Sequence, residues 1–405
     1  MYYYYYKRKN PDDILVYIEE YDKQTGYVLF DFIDSNEFYL FADLININPD
    51  FSKPTMMLLE KYNKRTIREN TIYSIKPEVI QSWREQLSIA PESLDSFLIG
   101  YSINASEIEG EIFSTAVSLN DFFDFELNYY MHGWGDISKI PLPAFDRVTV
   151  TIRNVGQGSW NEISCNDEVK IVYDAGAPMH ASMSEVRGII GNRNVLYSNK
   201  PILILSHWDK DHYHSLLGMS DTELQDNFSA FICRDRIPNI TSRILFGRLR
   251  NAVGASNTYT INADMRSARG GPTFLRNITP INGQFVLYNS QYHKDRNISG
   301  LLLTVKSANN SIVLPGDAHY EQISRDILPH LNYEHKHYLV VPHHGGKAGA
   351  YIYSRPSSMV FKDAIISVGT NSYGHPNNLY VNALRTDFSR VRQTRLERSD
   401  IIVTL

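Results

Sequence analysis

Four metal-ligand side chains stand within six residues of one another near the middle of the chain: His207, Asp209, Asp211 and His212. They directly follow the apolar run Ile202–Leu205, which predicts a buried β-strand. The ligands would then lie on the loop at the carboxyl end of this strand, where loops carry chemistry on a rigid scaffold. Imidazole nitrogens and carboxylate oxygens suit zinc or manganese, and this spacing can serve two adjacent cations. The alternative is a solvated polar loop.

Other apolar runs also end in polar or glycine-rich residues. Asp174 follows 169–173, Asp317 follows 311–314, His343 and His344 follow 338–342, and His375 follows 364–369. The β-branched run 148–152 enters a turn with two glycines at 154–159. Helical stretches at 183–190 and 320–331 lie between the strands, which predicts an α/β fold. We therefore expect these loops to converge on one face.

The length of 405 residues indicates more than one domain. Two prolines at 139–145 predict a boundary there, between an accessory domain (1–145) and a second domain (146–405) that contains the metal-ligand motif. Residues 1–145 hold 12 Lys and Arg against 23 Asp and Glu, a net charge of −11, and the remainder holds 28 against 22, a net charge of +6. This asymmetry fits two modules with different roles.

The first module shows no catalytic spacing. Residues 1–60 alternate apolar and polar groups around 14–18 and 26–32, which predicts a small β-meander. Residues 55–100 have a more helical pattern, and the acidic and aromatic stretch 121–127 is either a partner-binding surface or a half-buried element. The module is expected to be α+β, and its role is left open.

The composition indicates the cellular compartment in which the protein is expected. No apolar run reaches the roughly 18–20 residues that span a bilayer, and the tyrosine-rich start lacks the apolar core of a signal peptide. The two cysteines, Cys165 and Cys233, form neither a disulfide framework nor a C-x-x-C pair. A reducing cytoplasm is therefore the expected compartment.

The order NVGQG, DAG, SHWDKDH, PGD, HHGG and GHP across residues 147–405 resembles the metallo-β-lactamase superfamily. More narrowly, it is similar to the ComEC-type hydrolase domain of bacterial DNA-uptake channels and to its free-standing relatives. The resemblance implies an αββα sandwich with two divalent cations, zinc or manganese, at one rim of the sheets. It also implies hydrolysis of phosphodiesters or other esters, and DNA for the uptake-channel members.

The resemblance also implies a role for each matching residue. His207 and Asp209 would bind the first metal, Asp211 and His212 the second, and Asp317 both. His344 would complete the second site and His343 would face the substrate phosphate, although the two roles could be exchanged. Asp174 would orient a ligand histidine, and His375 would contact substrate or polarise a leaving oxygen. Asn297 and Ser299 match an N-x-S step that is either structural or part of the site.

The chain departs from the family pattern in two places. Asn154 and Ser159 replace the acids that flank the glycine turn, and Tyr213, His214 and Ser215 replace glycines after the metal-ligand motif. These bulkier residues would narrow the pocket, or His214 would join the first metal.

In the expected reaction the metals activate a shared water, with Asp211, His343 and His375 as catalytic residues. A serine triad is not favoured, because Ser206 and Ser159 lack a base and an orienting partner other than the metal histidines. The remaining histidines are interpreted as solvated or packed: His132, His180, His293, His319, His330, His335 and His337.

Arginines are concentrated between residues 234 and 276, at positions 234, 236, 243, 248, 250, 266, 269 and 276. Arginine matches phosphate geometry with two donors, so this insertion could guide a nucleic-acid backbone. Tyr259 and Phe274 could add stacking surfaces. The predicted substrate-binding residues are Arg248, Arg250, Asn371 and Tyr373. The alternative is a solvated insertion whose arginines pair with the acidic first module.

Three hypotheses follow from the sequence. The first is a metal-dependent phosphodiesterase, most simply a nuclease. The second is a hydrolase of small phosphodiesters or other esters, in which the arginine-rich insertion is structural. The third is an effector that a protein partner recruits or gates through the acidic first module.

Overall fold

The computed structural model describes residues 12–51, 54–64, 66–89, 99–108, 110–113, 116–117, 145–191, 197–262, 272–279, 283–293, 295–351, 358–371 and 374–405. The chain divides into two compact units. The first comprises residues 1–132, 180–185 and 236–247, and the second comprises 133–179, 186–235 and 248–405. The domain boundary at residue 145 stays a prediction, and the stretches 121–127 and 139–144 lie outside the described residues.

Among its described residues the first unit combines a sheet with helices, so its predicted α+β class is confirmed. Its strands are β1 (Ile14–Asp22), β2 (Tyr27–Phe32), β3 (Met56–Glu60), β4 (Thr71–Ile75), β5 (Ser88–Ile89), β6 (Ile99–Asn104) and β7 (Ala116–Val117), and its helices are Ser35–Ile45 and Pro77–Ser82. The strand order is β5-β6-β3-β2-β1-β4-β7. The predicted β-meander forms the antiparallel pair β1–β2.

The helical interpretation of residues 55–100 is wrong at its start. Met56–Glu60 is strand β3, which lies between β2 and β6. Met56, Met57, Leu58 and Leu59 are all buried. A short apolar run that is covered on both faces has no period-2 pattern, so periodicity cannot distinguish it from a buried helix.

Within the part of the chain that the structure describes, the second unit has two seven-stranded sheets. The first runs β13-β12-β11-β10-β9-β8-β21 and contains β8 (Val148–Ile152), β9 (Trp160–Cys165), β10 (Glu168–Ala175), β11 (Ile202–Ile204), β12 (Ala230–Arg234), β13 (Thr258–Ile261) and β21 (Ile401–Thr404). The second runs β14 to β20 in chain order and contains β14 (Leu275–Asn277), β15 (Phe285–Ser290), β16 (Leu301–Lys306), β17 (Asn310–Leu314), β18 (Lys336–Val340), β19 (Val360–Ile366) and β20 (Arg390–Gln393).

The helices after residue 180 are Met183–Gly191, Lys210–Leu217, Asp221–Asn227, Ile240–Val253, Tyr320–Gln322, Asn378–Asp387 and Thr394–Glu397. A π-helical turn, Ile323–Ile327, and a 3₁₀ turn, Leu328–His330, continue from Gln322. The two predicted helical stretches are therefore confirmed. Within the described residues, no helix combines the length and the apolar character that crossing a membrane requires.

Side-chain alternation in the strands builds the layers of the second unit. Phe285 and Leu287 of β15 pack in one core with Ile171 and Ile204 of the first sheet. Their neighbours on β15 point the other way, into a core formed with the helical residues Tyr320, Ile323 and Leu384. Successive side chains of a strand face opposite sides, so one sheet serves two cores. On the outside of the first sheet, the helix Lys210–Leu217 packs on β10. The predicted αββα sandwich is confirmed.

Because neighbouring strands are parallel, the polar residues that follow each strand lie at the same edge of the sheet. β10 is parallel to β11, and β17, β18 and β19 are parallel neighbours. The carboxyl ends of parallel strands share one edge, where ligand sites form in α/β folds. Each of these five strands runs into a predicted site residue or site loop.

Candidate metal centre

The metal-ligand motif spans a strand end and a helix start. His207 lies three residues past the end of β11, and Asp209 is the N-cap residue of the helix Lys210–Leu217, with extended backbone angles. The Asp209 side chain makes no capping hydrogen bond. Asp211 and His212 lie in the first turn of the helix, where a carboxylate is favoured by the helix dipole. The four predicted ligands are therefore held by regular structure on both sides.

Asp174 and Ser206 fix the orientation of two imidazoles. The Asp174 carboxylate accepts the backbone N–H of Ser206 at 2.7 Å and the Ser206 hydroxyl at 2.9 Å, and it lies 2.8 Å from Nδ1 of His212. Ser206 Oγ lies 2.9 Å from Nδ1 of His207. Because the single Ser206 proton is donated to Asp174, its oxygen accepts from His207. Both Nδ1 atoms then carry protons, which leaves the Nε2 lone pairs for a cation.

Among the buried imidazole nitrogens that make no hydrogen bond within the described residues, three belong to the cluster: Nε2 of His207, His212 and His344. They lie close to carboxylates: His344 is 3.1 Å from Asp211, and His212 is 3.2 Å from Asp317. Two donors on one tetrahedral zinc, with bonds of about 2.1 Å, are about 3.4 Å apart. The donor set and its spacing therefore fit divalent cations.

Two groups of donor atoms meet the spacing of a metal site among the described residues. The first is His207, His212 and Asp317, and the second is Asp211, His212 and His344. The atoms of each group lie within 4.8 Å of one another. Asp209 belongs to neither group, although its Oδ2 lies 3.4 Å from Nε2 of His207. The structure thus brings all six predicted ligands together.

The structure separates the two adjacent histidines at the end of β18. His344 is 5% exposed, and its Nδ1 lies 2.8 Å from the carbonyl of Ser367, so its Nε2 faces Asp211. His343 lies beside this group, with Nδ1 2.6 Å from Asp317 and 3.3 Å from the side-chain amide of Asn297. Both histidines have positive φ angles, 53° and 51°. Consecutive left-handed residues other than glycine are strained, and such strain is concentrated at functional sites.

His375 lies at the rim of the same cluster. Its ring is 5.1 Å from that of His343, and its Nδ1 lies 3.4 Å from the side-chain amide of Gln157 in the glycine turn. The Asn371 side chain makes two hydrogen bonds with the backbone of His375. Its oxygen accepts from the His375 N–H at 3.0 Å, and its amide nitrogen donates to the His375 carbonyl at 2.9 Å. Asn371 therefore shapes the loop that carries His375.

The charges of the cluster shift the pKa values of its members. Burial raises the pKa of the Asp209 carboxyl, but Arg296 and His207 outweigh burial and lower it. The pKa of Asp317 is also lowered against its burial, by His212 and His343. Burial lowers the pKa of His343, but Asp317 outweighs it and raises the value to about 9. For His375, burial and then His343 lower the pKa to about 4.

The predicted substrate-binding arginines are placed outside the cluster. Arg248 donates to Asp221 at 2.6 Å and to the carbonyl of Met219, and Arg250 is exposed on the helix Ile240–Val253. Arg234 is 3% exposed and donates to Ser290. The Arg325 guanidinium lies 4.1 Å from the ring centre of Phe274, whose side chain stays 38% exposed. Tyr373, Arg266 and Arg269 lie outside the described residues.

Two residues near the cluster were not identified from the sequence. Arg296 forms an ion pair with Asp209, with 2.7 Å between the guanidinium and Oδ1, and it donates a hydrogen bond to the carbonyl of Trp208 at 2.6 Å. Burial lowers the pKa of His319, and the charges that act on this half-buried side chain include those of His343 and Asp317, so it lies near the site. His319 stands two residues after Asp317, a spacing that could have identified it, but Arg296 is 87 residues from Asp209 and offers no such signal.

His214 lies apart from both donor groups, with Nδ1 2.7 Å from the carbonyl of Pro178. His337 is packed as expected: it is 1% exposed and lies 2.6 Å from the hydroxyl of Ser311. In the first unit, His180 lies 2.9 Å from Glu20.

A scan against protein-family models finds no match, and a search of the curated proteins finds none either. Similar solved structures include the metallo-beta-lactamase fold protein YhfI from Bacillus subtilis, at 12% identity and a TM-score of 0.37, over 63% of this chain and 99% of that chain. CmlA, a diiron beta-hydroxylase from Streptomyces venezuelae, is 10% identical with a TM-score of 0.36, over 65% of this chain and 55% of that chain. The short form of human tRNase Z is 13% identical with a TM-score of 0.29, over 48% and 78%.

Proposed function

We propose that the chain is a metal-dependent hydrolase of the metallo-β-lactamase fold that cleaves phosphodiester bonds. The observation that carries this proposal is that Nε2 of His207, His212 and His344 is buried, makes no hydrogen bond among the described residues and faces the carboxylates of Asp211 and Asp317. Buried polar atoms without partners are costly. A site that gathers several of them opposite carboxylates is best explained by cation binding.

Two divalent cations, zinc or manganese, fit the donors. His207, Asp209 and Asp317 would hold the first, and Asp211, His212 and His344 would hold the second, with Asp317 between them. The donor-atom groups support this division, except that His212 belongs to both groups and Asp209 to neither. Bound cations supply Lewis acidity that activates water and neutralises phosphate oxygens.

The remaining residues would position the substrate and handle protons. His343 donates one ring nitrogen to Asp317, so its other ring nitrogen is available to a phosphate oxygen. His375 is neutral near pH 7, because its pKa is about 4. With Nδ1 facing the Gln157 amide, its Nε2–H can donate to a leaving oxygen. Asn371 is a positioning residue for His375.

A nucleic acid is the first candidate substrate, which rests on the arginine-rich segment and on the resemblance to ComEC-type domains. A small phosphodiester is the second candidate. It is supported by Arg234 and Arg248, whose guanidinium groups donate hydrogen bonds to other groups of the protein and are therefore engaged before any nucleic-acid backbone could bind them. The protein partner of the first unit and the cytoplasmic location stay predictions.

Hydrolysis assays on the metal-free full-length chain, with Mn²⁺ or Zn²⁺ added back, test the proposal. Labelled single- and double-stranded DNA and bis-p-nitrophenyl phosphate are offered in parallel. Cleavage of DNA supports the nuclease, whereas turnover of the small ester alone supports the second candidate. Asp211→Asn should remove all turnover, while the exposed control His330→Asn should keep it. Metal-dependent turnover that survives in Asp211→Asn would contradict the proposed site.

A further inference from the structure

The two proposed cation positions differ in the charges that surround them. Two groups lie close to the Asp209 carboxylate at the first position: Oδ1 forms an ion pair with Arg296 at 2.7 Å, and Oδ2 lies 3.4 Å from Nε2 of His207. At the second position, the ion pairs of Asp211 among the described residues are with His212 and His344. One position therefore includes a permanent cation, and the other does not.

Arg296 is held firmly in place. Its side chain is 10% exposed, and a second guanidinium nitrogen donates to the carbonyl of Trp208 at 2.6 Å. Trp208 is itself 1% exposed, and its indole donates to the carbonyl of Arg234 at 2.9 Å. An arginine in such a setting stays protonated. Its charge is therefore a fixed property of the first position.

A fixed positive charge on one oxygen of a ligand carboxylate opposes a metal ion on the other oxygen. The repulsion is strong in a buried setting, where charges are poorly screened. The guanidinium also lies 2.7 Å from Oδ1 of Asp209, where it limits the approach of a metal ion to that oxygen. Resting on the proposed function, we propose that Arg296 makes the two cation positions unequal, so that the Asp211–His212–His344 position fills first and the His207–Asp209 position is weak.

Calorimetric titration of the metal-free full-length chain with Mn²⁺, and stoichiometry by native mass spectrometry, test this inference without any activity assay. The wild-type chain should bind two ions in steps at least about tenfold apart in Kd. Arg296→Met keeps the length of the side chain and removes its charge. It should tighten the weak step by about tenfold or more and leave the tight step within about threefold.

Two controls are available. Arg296→Lys keeps the charge and should keep the separation of the steps. Arg390→Met removes a positive charge from an ion pair with Asp363, in which the Arg390 side chain is 69% exposed, and should change neither step. A weak step that Arg296→Met leaves unchanged or weakens further, or two equal steps in the wild type, would overturn the inference and leave the proposed hydrolase standing.

Asp209→Asn gives a second test that does not depend on the fold of the Met variant. This substitution should weaken only the weak binding step, by about tenfold or more. A loss of affinity in the tight step instead would overturn the placement of Asp209 at the weak position. If the wild-type chain binds no cation, the proposed function and this inference fail together.

Discussion

At the residue scale, the site depends on how protons are distributed among four side chains. Asp174 is fully buried and accepts hydrogen bonds from Ser206, and it faces Nδ1 of His212. The Ser206 hydroxyl oxygen lies 2.9 Å from Nδ1 of His207 and so holds the proton of that ring on Nδ1 as well. One carboxylate and one hydroxyl thus satisfy the inner nitrogens of both rings. The outer nitrogens are left together, opposite Asp317, which is why the cluster can bind metal and is not a serine triad.

The adjacent histidines His343 and His344 should respond differently to substitution. His344→Ala removes a donor from the second group and should weaken binding of the tight cation by about 100-fold or more. His343→Ala removes a hydrogen-bond partner of Asp317 and should weaken binding less, by about tenfold. Competition with a fluorescent chelator measures both affinities. A larger loss in His343→Ala than in His344→Ala would reverse our assignment.

His337 should make stability depend on pH. Burial lowers its pKa to about 4 in the folded chain, against about 6.5 in an unfolded chain. The unfolded state therefore takes up a proton first as pH falls, so stability is lost between about pH 6.5 and 4 and no further below that range. The contribution is about 2 kcal/mol after allowance for solvent screening.

Urea denaturation of the wild type and His337→Asn at pH 7 and pH 4 measures this effect. The variant should lose less stability than the wild type between the two pH values. Equal losses in the two proteins would show that the His337 side chain does not contribute.

At the element scale, the strands that carry the site were predictable, because each is an apolar run that ends in a polar junction. Val148–Ile152, Leu301–Lys306 and Asn310–Leu314 are strands as expected, and the last two form the predicted pair. The helical interpretation of Met56–Glu60 failed because burial on both faces removes the alternation that marks a strand. Alternating patterns reveal half-buried strands, but they do not reveal central ones.

A close approach of backbones fixes the position of the ligand helix. A Cβ atom on Gly176 would lie 1.7 Å from the carbonyl oxygen of Asp211. Gly176→Ala should therefore displace the start of the helix, lower stability and weaken cation binding. Gly188→Ala is a matched control on the helix Met183–Gly191, where a Cβ meets nothing within 4 Å. It should be neutral or stabilising by up to about 1 kcal/mol.

Thermal unfolding and metal titration of both glycine variants check this prediction. Gly176→Ala with wild-type stability and affinity would show that the loop and the helix can separate without cost to the site.

At the scale of the whole molecule, the sequence predicted the fold and the ligand cluster, but it did not predict the partners of the charged residues. Four ligand types in six positions identify a site locally. The ion pair between Arg296 and Asp209 and the burial of Arg234 depend on residues far apart in the chain. For the same reason the arginine-rich segment suggested nucleic acid, whereas the structure pairs Arg248 with Asp221.

The first unit takes part of its core from a distant segment. Ile240 belongs to its hydrophobic core, and the backbone amide of Thr241 donates to the buried Asp31 at 2.9 Å. Removal of residues 1–145 should therefore expose apolar surface at Ile240, and the truncated chain should aggregate or unfold at a lower temperature than the full chain. Light scattering and calorimetry measure this. A monomeric truncated chain of unchanged stability would favour an independently folding domain that begins near residue 146.

The central claim is that the histidines and aspartates gathered at the sheet edge hold divalent cations. Elemental analysis of the purified full-length chain, after dialysis against limiting Zn²⁺ and Mn²⁺, tests it most directly. We expect between one and two equivalents per chain, near zero in His212→Ala, and the wild-type content in the exposed control His330→Asn. A wild-type content as low as that of His212→Ala, with both proteins folded, would contradict the account.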